Sequence, residues 1–282
     1  MQHVHKKSGS SSSHTPLFSI KHLSFAYPAR PGEKSRGGHK VFSDFSVDIR
    51  EGLVTTILGA NGSGKTTLFD LMCKNLEAQR GSISLRGVDI SRLRLRDFAQ
   101  LVAIVHQHNR APRDISIREL VAYGRHPYHE DLRLRSKENV QRDSMAVDRA
   151  IRLCSLEEIA AAPVTALSGG QAQRVWIAMA LAQETKVLLL DEPTTYLDVR
   201  YQLEILALIR KLNRELGMSV IMVIHDINQA IHYSHELIAL EGGSLAAQGA
   251  PEEIVNAELM RRVYGIDMDV ITIRDKPYVM AI

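Results

Sequence analysis

The segment GANGSGKTT (59–67) combines the residue types that hold phosphate. It fits the spacing G-x-x-x-x-G-K-[ST], in which glycines let the backbone wrap closely round anionic oxygens with successive N–H groups pointing inward. In such a loop, built here from Gly59, Ala60, Asn61, Gly62, Ser63, Gly64, Lys65, Thr66 and Thr67, the lysine ammonium reaches the β- and γ-phosphates and the Thr66 hydroxyl ligates Mg²⁺. A Gly-rich turn between a strand and a helix is the ordinary alternative. At a glycine frequency of ~7% the pattern arises by chance in roughly one chain per hundred. The apolar run VTTIL (54–58) before it and the helix beginning near Lys65 supply the context that phosphate binding requires.

A second constellation, VLLLDEP (187–193), ends an apolar run with two adjacent carboxylates. Asp191 at the close of a buried strand can hold the Mg²⁺ shell, and Glu192 can polarise an attacking water as general base. Without a phosphate loop upstream, the pair would read as an N-cap for the next helix. His225 follows the run VIMVI (220–224) and can contact a γ-phosphate, although a lone histidine at a strand end is more often structural. Gln107, just past LVAIV (101–105), carries little weight by itself.

These residues need elements to position them. Strand-like segments LFSIKHLSFAY (17–27) and VFSDFSVDI (41–49) are joined by a Pro/Gly/charged loop, PARPGEKSRGGHK. Apolar runs then alternate with helical sequence; Ile205, Ile209, Leu212 and Leu216 fall on one helix face. Alternating strands and helices imply a mostly parallel sheet covered on both faces. Gly59, Gln107, Asp191, Glu192 and His225 each follow a strand, and in parallel sheets ligands bind beyond the carboxyl ends of strands. The expected fold is therefore α/β, with a short antiparallel β region ahead of it and an insertion of charged, helix-favouring sequence from about 108. The segments VITIRD and YVMAI near the end are strand-like, and no internal repeat is present.

Composition excludes several classes. A formal charge of +3 is too small to argue for nucleic acid. The basic runs RLRLRD (92–97) and DLRLR (131–135) lack interleaved aromatics and read first as solvated faces, with contact to a membrane surface or permease second. Two cysteines without CxxC spacing give no disulfide framework or zinc site, as suits a reducing cytoplasm. No apolar stretch approaches the ~20 residues that span a bilayer. Residues 1–16, rich in Ser, His and Lys, read as a disordered tail without the apolar core of a signal peptide.

The segment LSGGQ (167–171) reads on spacing alone as a helix start with Ser168 as N-cap and open N–H groups at Gly169 and Gly170. Together with AQRVWIAMALAQ it resembles the signature of the ABC ATPase family, and the motifs of 17–282 occur in that family's order. The resemblance implies a P-loop NTPase (RecA-like) core, an N-terminal antiparallel β subdomain, an inserted helical signature subdomain at about 108–175 and a C-terminal extension at 242–282. It implies ATP and Mg²⁺ as ligands, with two copies pairing head to tail so that Ser168, Gly169, Gly170 and Gln171 of one close on the γ-phosphate bound by the other. In that reading Tyr27 stacks on adenine, Gln107 senses Mg²⁺ and the attacking water, Thr66 and Asp191 complete the metal shell, Glu192 is the catalytic base, Asp198 lies at the dimer seam, and His225 is the switch histidine. The long loop after Tyr27, Ala60 in place of the commoner proline, Thr67, and His106 before Gln107 depart from the pattern without removing a ligand.

The stretches ELVAYGRHPY (119–128), TTYLD (194–198) and HDINQAIHYSHELIAL (225–240) resemble importer ATPases for ferric siderophores, heme and vitamin B12. That branch implies a separate membrane permease, a substrate-binding protein acting through it, and a peripheral position on the cytoplasmic face of the inner membrane. An incidental surface loop is the plain alternative for GRHPY. Two rivals fare worse. Repair-type ABC ATPases place a long coiled coil between phosphate loop and signature, whereas Lys65 and Ser168 are 168 − 65 = 103 positions apart with no sustained heptads. A P-loop kinase leaves LSGGQ unexplained.

Overall fold

The computed structural model describes residues 15–28, 38–129 and 136–281. Most of the expected tail, most of the loop after Tyr27 and the run DLRLR lie outside the described residues.

Strand β1 (Phe18–Tyr27) pairs antiparallel with β2 (His39–Ile49). Strand β3 (Val54–Gly59) leads into helix α1 (Lys65–Met72), and β4 (Arg80–Leu85) and β5 (Val88–Asp89) complete an antiparallel sheet in the order β2-β1-β4-β5. Helix α2 (Leu95–Ala99) and strand β6 (Val102–Val105) precede three helices, α3 (Ile117–Ala122), α4 (Lys137–Leu153) and α5 (Gly169–Leu181). Then follow β7 (Val187–Asp191), α6 (Val199–Leu216), β8 (Ser219–Val223), α7 (Ile227–Tyr233), β9 (Glu236–Glu241) and β10 (Ser244–Gly249). Helices α8 (Pro251–Ile254) and α9 (Ala257–Tyr264) lead to a hairpin of β11 (Met268–Ile273) and β12 (Lys276–Ala281).

The central sheet runs β10-β9-β3-β8-β7-β6, parallel throughout except for the β9–β10 hairpin. Strands β3, β7 and β8 are buried along their whole length because both faces are covered, which is why they read as unbroken apolar runs. Side chains alternate between two cores. Leu188, Leu190, Val220 and Met222 pack with α4, α5 and α6, while Val187, Leu189, Ile221 and Val223 pack with α1 and the antiparallel sheet. A third cluster joins Leu58 and Ala239 to Leu259, Met260 and Val279. There the Asn228 amide donates to the Val279 carbonyl (2.9 Å) and accepts from its N–H (2.8 Å). Strands β4 and β9 carry little signal in the sequence: β4 opens on three exposed residues, Arg80, Gly81 and Ser82, and β9 opens on Glu236, a buried carboxylate held by Arg50.

The GRHPY segment is a built element. Residues 123–128 form a 3₁₀ turn whose Arg125 is 2% exposed and donates to Asp143 of α4 (2.8 Å), the Ala182 carbonyl (2.8 Å) and Glu184 (2.9 Å). Its guanidinium lies 4.2 Å from the Tyr128 ring centroid, and His129 Nε2 meets the second Asp143 oxygen at 2.8 Å. The basic run at 92–97 is engaged as well: Arg96 donates to the Pro127 carbonyl, and Arg94 pairs with Asp97. Removing one partner of a buried ion pair leaves its charge uncompensated. Asp143→Ala should therefore lower unfolding stability by about 3 kcal/mol, to be read from urea denaturation.

Candidate functional site

Parallel register aligns the ends of the strands. Ile57 lies beside Val223, Val223 beside Asp191, and Leu190 beside Val105, so the residues just beyond these positions share one edge. The loop 60–64 crosses that edge between β3 and α1. Its brace comes from far along the chain: Gly243, in the β9–β10 turn, donates its N–H to the Ser63 carbonyl (3.1 Å). A Cβ at Gly243 would lie 1.8 Å from the Val41 carbonyl oxygen, so only glycine fits between β2 and the loop.

Lys65 is buried, and its ammonium donates to the Gly59 and Ala60 carbonyls at 2.8 and 2.9 Å. Burial lowers its pKa, opposed by the negative charge of Glu192. Thr66 is exposed at the start of α1, and Thr67 is buried with its hydroxyl 3.2 Å from that of Tyr27. A cavity of about 270 Å³ over the loop is lined by Tyr27, Asn61, Lys65, Thr66, Glu192 and His225 among others.

Glu192 sits at φ 48°, a left-handed backbone that costs a non-glycine residue of order 1 kcal/mol. Its N–H donates to the Val223 carbonyl (3.1 Å), and three side chains hold its carboxylate. Gln107 Nε2 donates to Oε2 at 2.5 Å, Thr195 Oγ1 donates to the same oxygen at 3.0 Å, and His225 Nε2 lies 2.5 Å from Oε1. Gln107, Glu192 and His225, read separately from the sequence, are thus in direct contact; Thr195 is an addition that the sequence reading missed. Asp191 is buried, and burial first, then repulsion from Glu192 and Asp70, push its pKa up to about 6. Its Oδ1 and the Ser63 hydroxyl are buried without a hydrogen-bond partner among the described residues.

The LSGGQ segment lies elsewhere. Ser168 caps α5: its hydroxyl accepts from the Gln171 N–H (3.3 Å), and the Gln171 side chain accepts from the Ser168 N–H (3.0 Å). A Cβ at Gly169 would make ordinary contact with Leu197 at 3.5 Å, whereas a Cβ at Gly170 would lie 2.4 Å from the Tyr201 ring. Gly170, which is buried, therefore serves close packing of α5 on α6. None of residues 167–171 lines the cavity over the phosphate loop.

A strand, a phosphate-type loop, a helix, and a second strand ending in Asp-Glu beside the loop together define a P-loop NTPase. Residues 42–195 match the ABC transporter family, and the chain belongs to it as an ATP-binding ATPase. It is 40% identical over 236 residues to the "Iron(3+)-hydroxamate import ATP-binding protein FhuC" of Bacillus subtilis (strain 168), covering 84% of this chain and 86% of that protein. It is 43% identical over 230 residues to the "Ferric enterobactin transport ATP-binding protein FepC" of Escherichia coli (strain K12), covering 82% and 83%. Among solved structures it is similar to the dimeric ATP-binding cassette MJ0796 bound to ADP and Pi, with a TM-score of 0.70, 25% identity and coverage of 83% and 98%. Among the described residues no helix is long and apolar enough to cross a membrane.

Proposed function

We propose that this chain drives import of an iron chelate, a ferric siderophore, by hydrolysing ATP as a homodimer bound to a separate membrane permease on the cytoplasmic face of the inner membrane. The observation that carries the hydrolytic reading is the Glu192 carboxylate, held by Gln107, Thr195 and His225 at the wall of the phosphate-loop cavity. The printed functions of the hydroxamate and enterobactin relatives support the cargo class. In this reading 17–282 is a single ABC ATPase domain, with the helical subdomain inserted at about 108–175 and 242–282 as a C-terminal extension.

Each residue's part follows from its chemistry. Amides of Gly59 to Thr67 and the Lys65 ammonium hold the β- and γ-phosphates, and the Tyr27 ring stacks on adenine. Glu192 accepts the proton of the attacking water, while Gln107 and His225 orient the water and the γ-phosphate. Thr66, Gln107 and Asp191 would hold Mg²⁺; the buried Asp191 oxygen, without a hydrogen-bond partner among the described residues, fits a hard cation. Bound there, Mg²⁺ neutralises charge on the phosphates. The placement of Ser168 to Gln171 outside the cavity supports their use on the nucleotide of a second copy, as does similarity to a dimeric cassette.

Lys65→Ala should weaken ATP binding by roughly 100-fold, the loss of about two charge-assisted hydrogen bonds; titration with a fluorescent ATP analogue measures it, and unchanged affinity would remove the phosphate-loop assignment. The cargo is tested by deleting the gene and growing cells on single iron sources. Growth lost on a ferric siderophore and kept on heme supports the reading, whereas loss confined to heme or vitamin B12 replaces it.

A further inference from the structure

We propose that the stacked pair His108–Tyr196 is a positioning element for hydrolysis, an inference that rests on Glu192 as the general base. The two rings lie 6.2 Å apart at 21°. Offset rings at this separation attract. His108 directly follows Gln107 and Tyr196 directly follows Thr195, and Gln107 and Thr195 are the two donors to Glu192 Oε2. The segment after β6 and the segment after β7 therefore meet twice, once on the carboxylate oxygen and again one residue further out, ring on ring.

Burial does not explain where Tyr196 sits. The residue is 84% exposed and its backbone has φ 64°, a conformation unfavourable for a bulky residue. The ring contact described for it is the one with His108. That contact restrains the spacing of the two segments and so the placing of both donors on Glu192. A general base must present its oxygen to water within a few tenths of an ångström, and a misplacement of ~1 Å can cost 10²-fold in rate. The pair acts through Gln107 and Thr195 and touches no reacting atom.

The test is steady-state ATPase of the full-length chain carrying His108→Ala, Tyr196→Leu, Tyr196→Phe, or both His108→Ala and Tyr196→Leu. The single variants His108→Ala and Tyr196→Leu should lose roughly tenfold in kcat with KM for ATP and the unfolding midpoint unchanged. Tyr196→Phe should keep wild-type kcat, because a ring suffices, and the double variant should fall no further than either single. Wild-type kcat in Tyr196→Leu, or losses that multiply in the double variant, would overturn the proposal. So would a deficit that disappears as protein concentration rises, which would mean the tyrosine only helps two copies meet. Glu192→Gln, assayed alongside, separates the two levels: turnover in that variant removes the general-base assignment itself, whereas an inactive Glu192→Gln with multiplying ring effects removes only the stack.

Discussion

Glu192→Gln is expected to lower ATP turnover by about 10³-fold while leaving nucleotide bound. The substitution preserves shape, so the amide oxygen can still accept from Gln107 and Thr195 where the carboxylate did. What disappears is the proton acceptor. If γ-phosphate is held from two sides as proposed, a protein that cannot cleave it should accumulate as an ATP-bound pair, visible as a shift in size-exclusion chromatography on adding ATP. Turnover near the wild-type rate would assign proton removal to another group, with His225, 2.5 Å away, the first to examine.

Ser168→Arg should be as damaging by a different route. The hydroxyl accepts from the Gln171 N–H at the start of α5, and losing that cap costs about 1 kcal/mol, which the fold can absorb. On the proposed head-to-tail pairing, a guanidinium at this position would obstruct the face through which a second copy's nucleotide is approached. Hydrolysis should fall at least 100-fold while each isolated chain still binds ATP, because Lys65 and the loop around it are untouched. Equilibrium binding and turnover measured on the same preparation separate these effects. Hydrolysis at the wild-type rate would mean that one chain holds the whole site.

The legibility of the site differed from residue to residue. The phosphate loop and the Asp191–Glu192 pair were readable because their chemistry is local: few sequences place glycines, a lysine and a hydroxyl at that spacing after a buried strand. The meeting of Gln107 with Glu192 spans 85 positions and depends on register in the central sheet, so only the strand-end argument hinted at it. Gly170 read as an open amide because its tight neighbour, Tyr201, is on the next long helix. Arg125 was invisible as a structural centre, since its partners Asp143 and Glu184 lie 18 and 59 positions away. GRHPY then carried a resemblance but no physics. The exposed and bulky Tyr196 likewise had no local signal, because its stacking partner precedes it by 196 − 108 = 88 positions.

The glycine turn that braces Ser63 has a bearing on biosynthesis. Residue 243 leaves the ribosome 243 − 63 = 180 residues after Ser63. At ~5–20 residues per second that is a delay of about 10 to 35 seconds. Throughout that interval the nascent loop lacks this brace, and for most of it β3 also lacks the two neighbours, β8 and β9, that flank it in the finished sheet. The loop that grips phosphate is thus secured by one of the last turns to be translated, so its final shape is set late in synthesis.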